Sequence, residues 1–188
     1  MNDYAGFLRG INVGGRRIAM ADLAACVESA GVRDVGTVLA TGNILFAAEL
    51  APDAARELLE TAIGERFGFA ARLFVKTLPE VGELVAACPF DRSAEYQGHP
   101  AHTYVTFTSG PDVVHAALAR LRALEPDALE RDALERAAGR DDVVYWQTPK
   151  GTTLENPLAR ILAGARLKEH HTTRNLNTLE KVLAARSR

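Results

Sequence analysis

The chain has 188 residues, 22 basic against 24 acidic side chains, a formal net charge of −2, and 47% hydrophobic against 24% charged residues. That is material for one domain or two small ones with a substantial core, and the near-neutral charge excludes an overall basic footprint for nucleic acid. No apolar run approaches the roughly 18 residues of a membrane helix, no secretory signal opens the chain, and Cys26 and Cys88 read as reduced thiols of a cytoplasmic protein, spaced like no metal site.

The first 88 residues parse in order. Residues 4–11 read as a buried strand that runs into Asn12-Val13-Gly14-Gly15-Arg16-Arg17. A helix follows at about 19–30, burying Met20, Leu23, Val27 and Ala30 and ending at Gly31. A strand at 34–40 leads to Thr41-Gly42-Asn43, which has the chemistry of a hairpin turn, and residues 44–47 return from it. The helix at 52–67 carries the stripe Ala55, Leu58, Leu59, Ala62, Ile63 and Phe67. A strand at 71–76 and a helix marked by Leu78, Val81 and Val85 complete a β-α-β-β-α-β order, the ferredoxin-like split βαβ arrangement.

A linker at 89–101 holds Pro89, Gly98 and Pro100, and the pattern restarts over 102–188. Residues 104–107 alternate as a strand, and Pro111-Asp112 opens a helix with Val114, Leu118, Leu121 and Leu124. The repeated Asp-Ala-Leu-Glu-Arg at 127–136 favours helix, but its five-residue period keeps no single face. The expectation there is a helical turn followed by a hairpin turning at 139–142, into a strand at 143–146. Asn156-Pro157 caps a helix with Leu158, Ile161 and Leu162. Residues 165–168 are expected as a strand, and Leu176, Leu179, Val182 and Leu183 mark the last helix. The fold class is therefore α+β: two tandem ferredoxin-like subdomains with added C-terminal helices.

Three motifs carry the chemistry. A strand running through paired glycines into a helix can turn backbone N–H groups toward an anion, and Arg9, Arg16 and Arg17 flank Gly14 and Gly15 with no acidic residue between Asp3 and Asp22. In a split βαβ unit the first and second strands run the same way. The loop after strand one, with Asn12, then emerges beside the turn Thr41-Gly42-Asn43. The third motif, Thr172-Thr173-Arg174-Asn175-Leu176-Asn177-Thr178, enters the last helix; its small polar side chains suit N-capping, and Arg174 would offer a guanidinium fork. The spacing Gly10-x-x-x-Gly14-Gly15 is not a dinucleotide fingerprint, and no P-loop occurs. The histidines, among them His99, His102, His170 and His171, lack partners at ligand spacing, so no metal or cofactor is expected.

Phe7-Leu8-Arg9-Gly10-Ile11-Asn12-Val13-Gly14-Gly15, Thr41-Gly42-Asn43 and Thr172–Thr178, with Pro89-Phe90 and Tyr104–Phe107, resemble the domain-of-unknown-function 1697 family of bacterial proteins. The resemblance runs nearly end to end and implies two ferredoxin-like subdomains; it brings no activity with it. The chain departs from that family at Leu176, where the family usually has Trp, and at Thr152-Thr153-Leu154-Glu155, in place of a Ser-Lys-like run.

The expectation is a small anionic, phosphate-bearing ligand held between the two halves. Gly14 and Gly15 would offer backbone donors, Arg9 and Arg174 charge, and Asn12, Asn43 and Asn175 neutral hydrogen bonds, with Thr41, Gly42 and Thr173 completing the candidate site. No carboxylate or histidine falls within the motifs, so electrostatic stabilisation of a transferring group suits them better than acid–base work; enzyme status stays open. The alternative is a nucleic-acid or protein interaction module whose motifs are structural, although only 6% of residues are aromatic and no base-stacking strand is evident.

Overall fold

In the first half, strand alternation and helical stripes meet on one face of a sheet. The computed structural model describes residues 1–11, 17–91, 95–96, 99–124, 133 and 135–186. It divides into two units, one of Met1–Ala86 with Thr178–Arg188 and the other of Ala87–Asn177.

The first unit runs β1 (Asn2–Leu8), α1 (Met20–Ser29), β2 (Arg33–Val38), β3 (Asn43–Ala48), α2 (Pro52–Phe67), β4 (Leu73–Thr77) and α3 (Leu78–Ala86). Its four strands lie in the order β2-β3-β1-β4, every neighbouring pair antiparallel. Tyr4, Leu8, Ile44, Phe46 and Leu73 point from the sheet into a core with Leu23 and Val27 of α1 and Ala55, Leu59 and Ile63 of α2. Burying each large member of that set is worth about 1.5–3 kcal/mol. α2 starts on Pro52 and ends on a left-handed Gly68, which is why its bounds match the stripe. Inside it, Glu60 accepts the Leu73 N–H at 2.8 Å and ties the helix to β4. β4 passes into α3 without a loop because Thr77 and Glu80 form a reciprocal capping box, with the Thr77 N–H on Glu80 Oε2 at 2.7 Å and the Glu80 N–H on Thr77 Oγ1 at 3.3 Å.

The second unit runs β5 (Glu95–Tyr96), β6 (His99–Thr108), α4 (Pro111–Arg122), β7 (Ala137–Arg140), β8 (Val143–Pro149), α5 (Pro157–Ala163), a 3₁₀ turn (Lys168–His170), β9 (His171–Asn175) and the start of α6 (Leu176–Arg186). The strands β7-β8-β6-β9 repeat the order of the first sheet, and the short β5 adds to the start of β6. Val144 and Trp146 form a core with Val114, Leu118 and Leu121 of α4 and Leu158 and Leu162 of α5. Asn156 caps α5 as its sequence predicts, accepting the Leu158 N–H at 2.9 Å. The architecture is two ferredoxin-like subdomains of tandem sheets with C-terminal helices.

Several local expectations differ. β1 ends at Leu8 rather than residue 11, because the chain bends at Gly10 with φ +69°. The segment expected as a linker holds β5 and the first residues of β6. Residues 165–168 are not a strand; they lead into the 3₁₀ turn, and the fourth strand of the second sheet is His171–Asn175. The hairpin at 139–142 is present as β7 and β8; of the helical turn expected upstream of it, Ala133 and Glu135 are helical, and residues 127–132 and 134 lie outside the described residues. Residues Thr178–Arg188, expected with the second half, group with the first unit. Among the described residues no helix is long and apolar enough to cross a membrane.

Candidate functional site

The end of the first sheet is built by three strands. β1 and β2 run the same way, each antiparallel to β3, so the exit of β1 and the β2–β3 turn share one end. The Leu8 N–H donates to the Gly42 carbonyl at 2.8 Å, which fastens the turn to the last residue of β1. Gly42 has φ +71°, and a Cβ on it would lie 2.7 Å from Ile11 Cδ1 and 3.1 Å from Leu8 Cβ. Only glycine lets the turn come this close. One residue beyond Leu8, the Arg9 N–H donates to the Arg72 carbonyl at 2.9 Å, extending the β1–β4 ladder.

The other residues of this end have local work. Asn43 is buried, and its Nδ2 donates to the Val38 carbonyl at 2.8 Å and to Thr41 Oγ1 at 2.9 Å. Those bonds close the hairpin from within. Asn12, Gly14 and Gly15, with Arg16, lie outside the described residues.

Thr173, Arg174 and Asn175 belong to the second unit, and they form the end of a strand that leads directly into α6. Thr173 Oγ1 is 2.9 Å from Thr106 Oγ1, which accepts the Trp146 indole N–H at 3.0 Å. Arg174 stands opposite Val105 and is 9% exposed; its Nη1 donates to Thr172 Oγ1 at 2.8 Å and to the Thr173 carbonyl at 2.9 Å. Burial lowers its pKa to about 10, which still leaves the guanidinium protonated at neutral pH. Asn175 Oδ1 accepts the Asn177 N–H at 2.9 Å, an N-cap at the strand-to-helix junction.

Elsewhere, Tyr145 is pushed up to about 12, chiefly by burial, with Arg140 opposing and Cys88 and Asp141 adding. Burial also raises the Cys26 thiol, against the pull of Arg66, and a buried thiol of that kind is a poor nucleophile. Ser109 Oγ lies 3.2 Å from His170 Nδ1, both exposed. No cluster of three or more His, Cys, Asp or Glu suited to a metal ion occurs among the described residues. A recess of about 290 Å³ lies at the opposite end of the first sheet, between Val32, Arg33, Ala48, Glu49, Leu50 and Leu58. None of the motif residues lines it.

A family model described as "Protein of unknown function (DUF1697)" matches residues 1–145. The chain belongs to the DUF1697 family. The DUF1697 match contains Arg9, the glycine segment and Thr41-Gly42-Asn43, while Thr173, Arg174 and Asn175 lie beyond it. A solved structure, described as that of the conserved bacterial protein SP0830 from Streptococcus pneumoniae, is 21% identical with a TM-score of 0.76. The alignment covers 100% of this chain and 99% of that one, and it shows a shared fold. The comparison with curated proteins gives no match.

Nothing in the local sequence of Arg72 marks it; only the backbone pairing of β1 with the start of β4 sets it opposite Arg9.

Proposed function

We propose that this DUF1697 protein binds a small anionic, phosphate-bearing ligand at the end of its first sheet, where β1 hands the chain to the Gly14-Gly15 sequence. The observation that carries the reading is the pair of backbone bonds at the exit of β1. Leu8 to Gly42 and Arg9 to Arg72 hold Arg9 between the hairpin turn and the start of β4. Arg9 supplies charge, and the glycine-rich sequence supplies backbone donors that pair well with phosphate oxygens. The reading includes a cytoplasmic setting, in which free thiols such as Cys26 and Cys88 persist.

Thermal-shift titration with inorganic phosphate and phosphorylated metabolites tests it. A ligand at about 100 times its dissociation constant adds about 2.7 kcal/mol to stability, and Arg9→Ala is expected to abolish the shift. No shift with any phosphorylated compound, or an unchanged shift in Arg9→Ala, overturns the reading.

A second reading takes the motifs as structural parts of an interaction module. It is favoured by Asn43, Thr173 and Asn175, each of which spends hydrogen bonds on its own turn, sheet or helix cap. If that module binds RNA, affinity falls steeply with salt; no binding at low salt removes the nucleic-acid form of this reading.

A further inference from the structure

β4 is an edge strand: it stands last in the order β2-β3-β1-β4, with β1 on one side only. In an antiparallel pair, alternate residues spend their N–H and C=O groups on the neighbour. The Arg9 N–H to Arg72 carbonyl bond sets that phase, so Phe74 and Lys76, opposite Phe7 and Ala5, face β1. Leu73, Val75 and Thr77 therefore turn their N–H groups away from the sheet. Such a row is a template on which another strand can add.

Side chains from two helices occupy that row. The Leu73 N–H donates to Glu60 Oε1 at 2.8 Å, and the Thr77 N–H donates to Glu80 Oε2 at 2.7 Å. Glu60 comes from α2 and Glu80 from α3, so one carboxylate covers each end of the strand. The other oxygen of Glu60 accepts from Arg56 Nη1 at 3.2 Å, one turn earlier on α2, and only 15% of the Glu60 side chain is exposed. The carboxylate is thus held in place from both sides. Between the two ends, Val75 is half-buried, and its N–H has no side-chain acceptor among the described residues. The other edge of the sheet, β2, is broken by a bulge between Arg33 and Gly36, and Arg186 takes its Asp34 carbonyl.

We infer that Glu60 and Glu80 shut the β4 edge against a second copy of this chain. The outward residues define the pairing that is blocked. Two β4 strands meeting antiparallel about a two-fold axis at Val75 would set Leu73 of one copy opposite Thr77 of the other, and each outward N–H would find a carbonyl. The strand Leu73-Phe74-Val75-Lys76-Thr77, with its aromatic and β-branched residues, suits such pairing. The carboxylates oppose it twice. They already hold the N–H groups at both ends, and the pairing would bring Glu60 of one copy toward Glu80 of the other, like charge to like. Arg56 is a positioning residue here, since it acts through Glu60.

Sedimentation equilibrium of the intact protein over a range of concentrations tests this. Glu60→Gln keeps an amide oxygen that can accept the Leu73 N–H, and it is expected to show the wild-type mass throughout. Glu60→Ala is expected to show a mass that rises with concentration toward twice the wild-type value. Adding Val75→Pro to Glu60→Ala should return the mass to that of the wild type. The proline deletes an outward N–H that makes no bond to β1, a place where an edge strand accepts proline. Circular dichroism confirms that each variant is folded. A folded Glu60→Ala with the wild-type mass overturns the inference, and so does association that Val75→Pro leaves unchanged, because another surface would then be responsible. Amide hydrogen exchange on the wild type needs no substitution. The Leu73 and Thr77 N–H groups are expected to exchange more slowly than that of Val75. Equal protection of all three overturns the inference, since the edge would then already be paired.

Discussion

Arg186, at the end of α6, donates from Nη1 to the main-chain carbonyl of Asp34 at 2.8 Å. Its Nη2 meets the Asp3 carboxylate and lies 3.5 Å from Asp34 Oδ2. Asp3 is on β1 and Asp34 on β2, the two neighbours of β3, so a single guanidinium fastens the last helix to both strands. Arg186→Ala should lower stability by about 1 kcal/mol, the value of charged hydrogen bonds after discounting for solvent. Arg186→Lys should recover a fraction. The urea midpoint measures both, and no change in Arg186→Ala means that the buried Leu179 and Val182 alone hold the helix.

Gly42→Ala should destabilise by about 1–3 kcal/mol, combining overpacking against Ile11 and Leu8 with a left-handed backbone that alanine resists. Ile11→Val removes the Cδ1 atom that lies 2.7 Å from the added methyl. The double variant should therefore lose less than the sum of the two single changes, and a thermal-denaturation cycle reads the difference. Strict additivity would mean that the backbone angle alone sets the cost.

Thr106→Val removes the acceptor of the Trp146 indole N–H and the partner of Thr173. A buried donor left without a partner costs about 1–3 kcal/mol. Trp146 is the only tryptophan in the chain, so its emission reports on the second unit. Thr106→Val should shift that emission and lower the unfolding midpoint followed by it. An unchanged midpoint would mean that the indole finds another acceptor.

Tyr145 gives stability a dependence on alkaline pH. Its folded pKa is raised to about 12 from 10, so the unfolded chain releases the phenolic proton first as pH rises. The contribution of the neutral phenol is complete below about pH 10 and is lost as pH climbs toward about 12. Tyr145→Phe should flatten that part of the stability profile. A slope equal to that of the unsubstituted protein would mean that other groups produce it.

The order of elements in the first unit was legible because its signals are local and agree with one another. Pro52, the Ala55–Leu59–Ile63 stripe and Gly68 all point to the same helix. The second unit was harder where polar residues form the sheet. Thr172, Thr173 and Asn175 look like a capping run, yet β-branched threonines fit a strand, and Thr106 across the ladder gives Thr173 its partner. The cap was real, but it is the single residue Asn175 at the end of that strand. The meeting of the β1 exit with the hairpin turn followed from topology alone, and the Leu8–Gly42 bond shows it. Arg72 was invisible because its neighbour is 63 positions away in sequence. Register along a strand pair is a property of two segments, and no single stretch of sequence announces it.

The discontinuity of the first unit has a consequence for how the chain is made. Met1–Ala86 emerge from the ribosome ahead of Ala87–Asn177, and Thr178–Arg188, which belong with them, emerge after it. All of Ala87–Asn177 is synthesised in between. The usual N-to-C order of domain folding is thereby inverted: the later-made unit has its complete set of residues before the earlier one does. A nascent chain stopped just short of α6 would own a whole second sheet and a first unit still waiting for Arg186 to join Asp3 to Asp34.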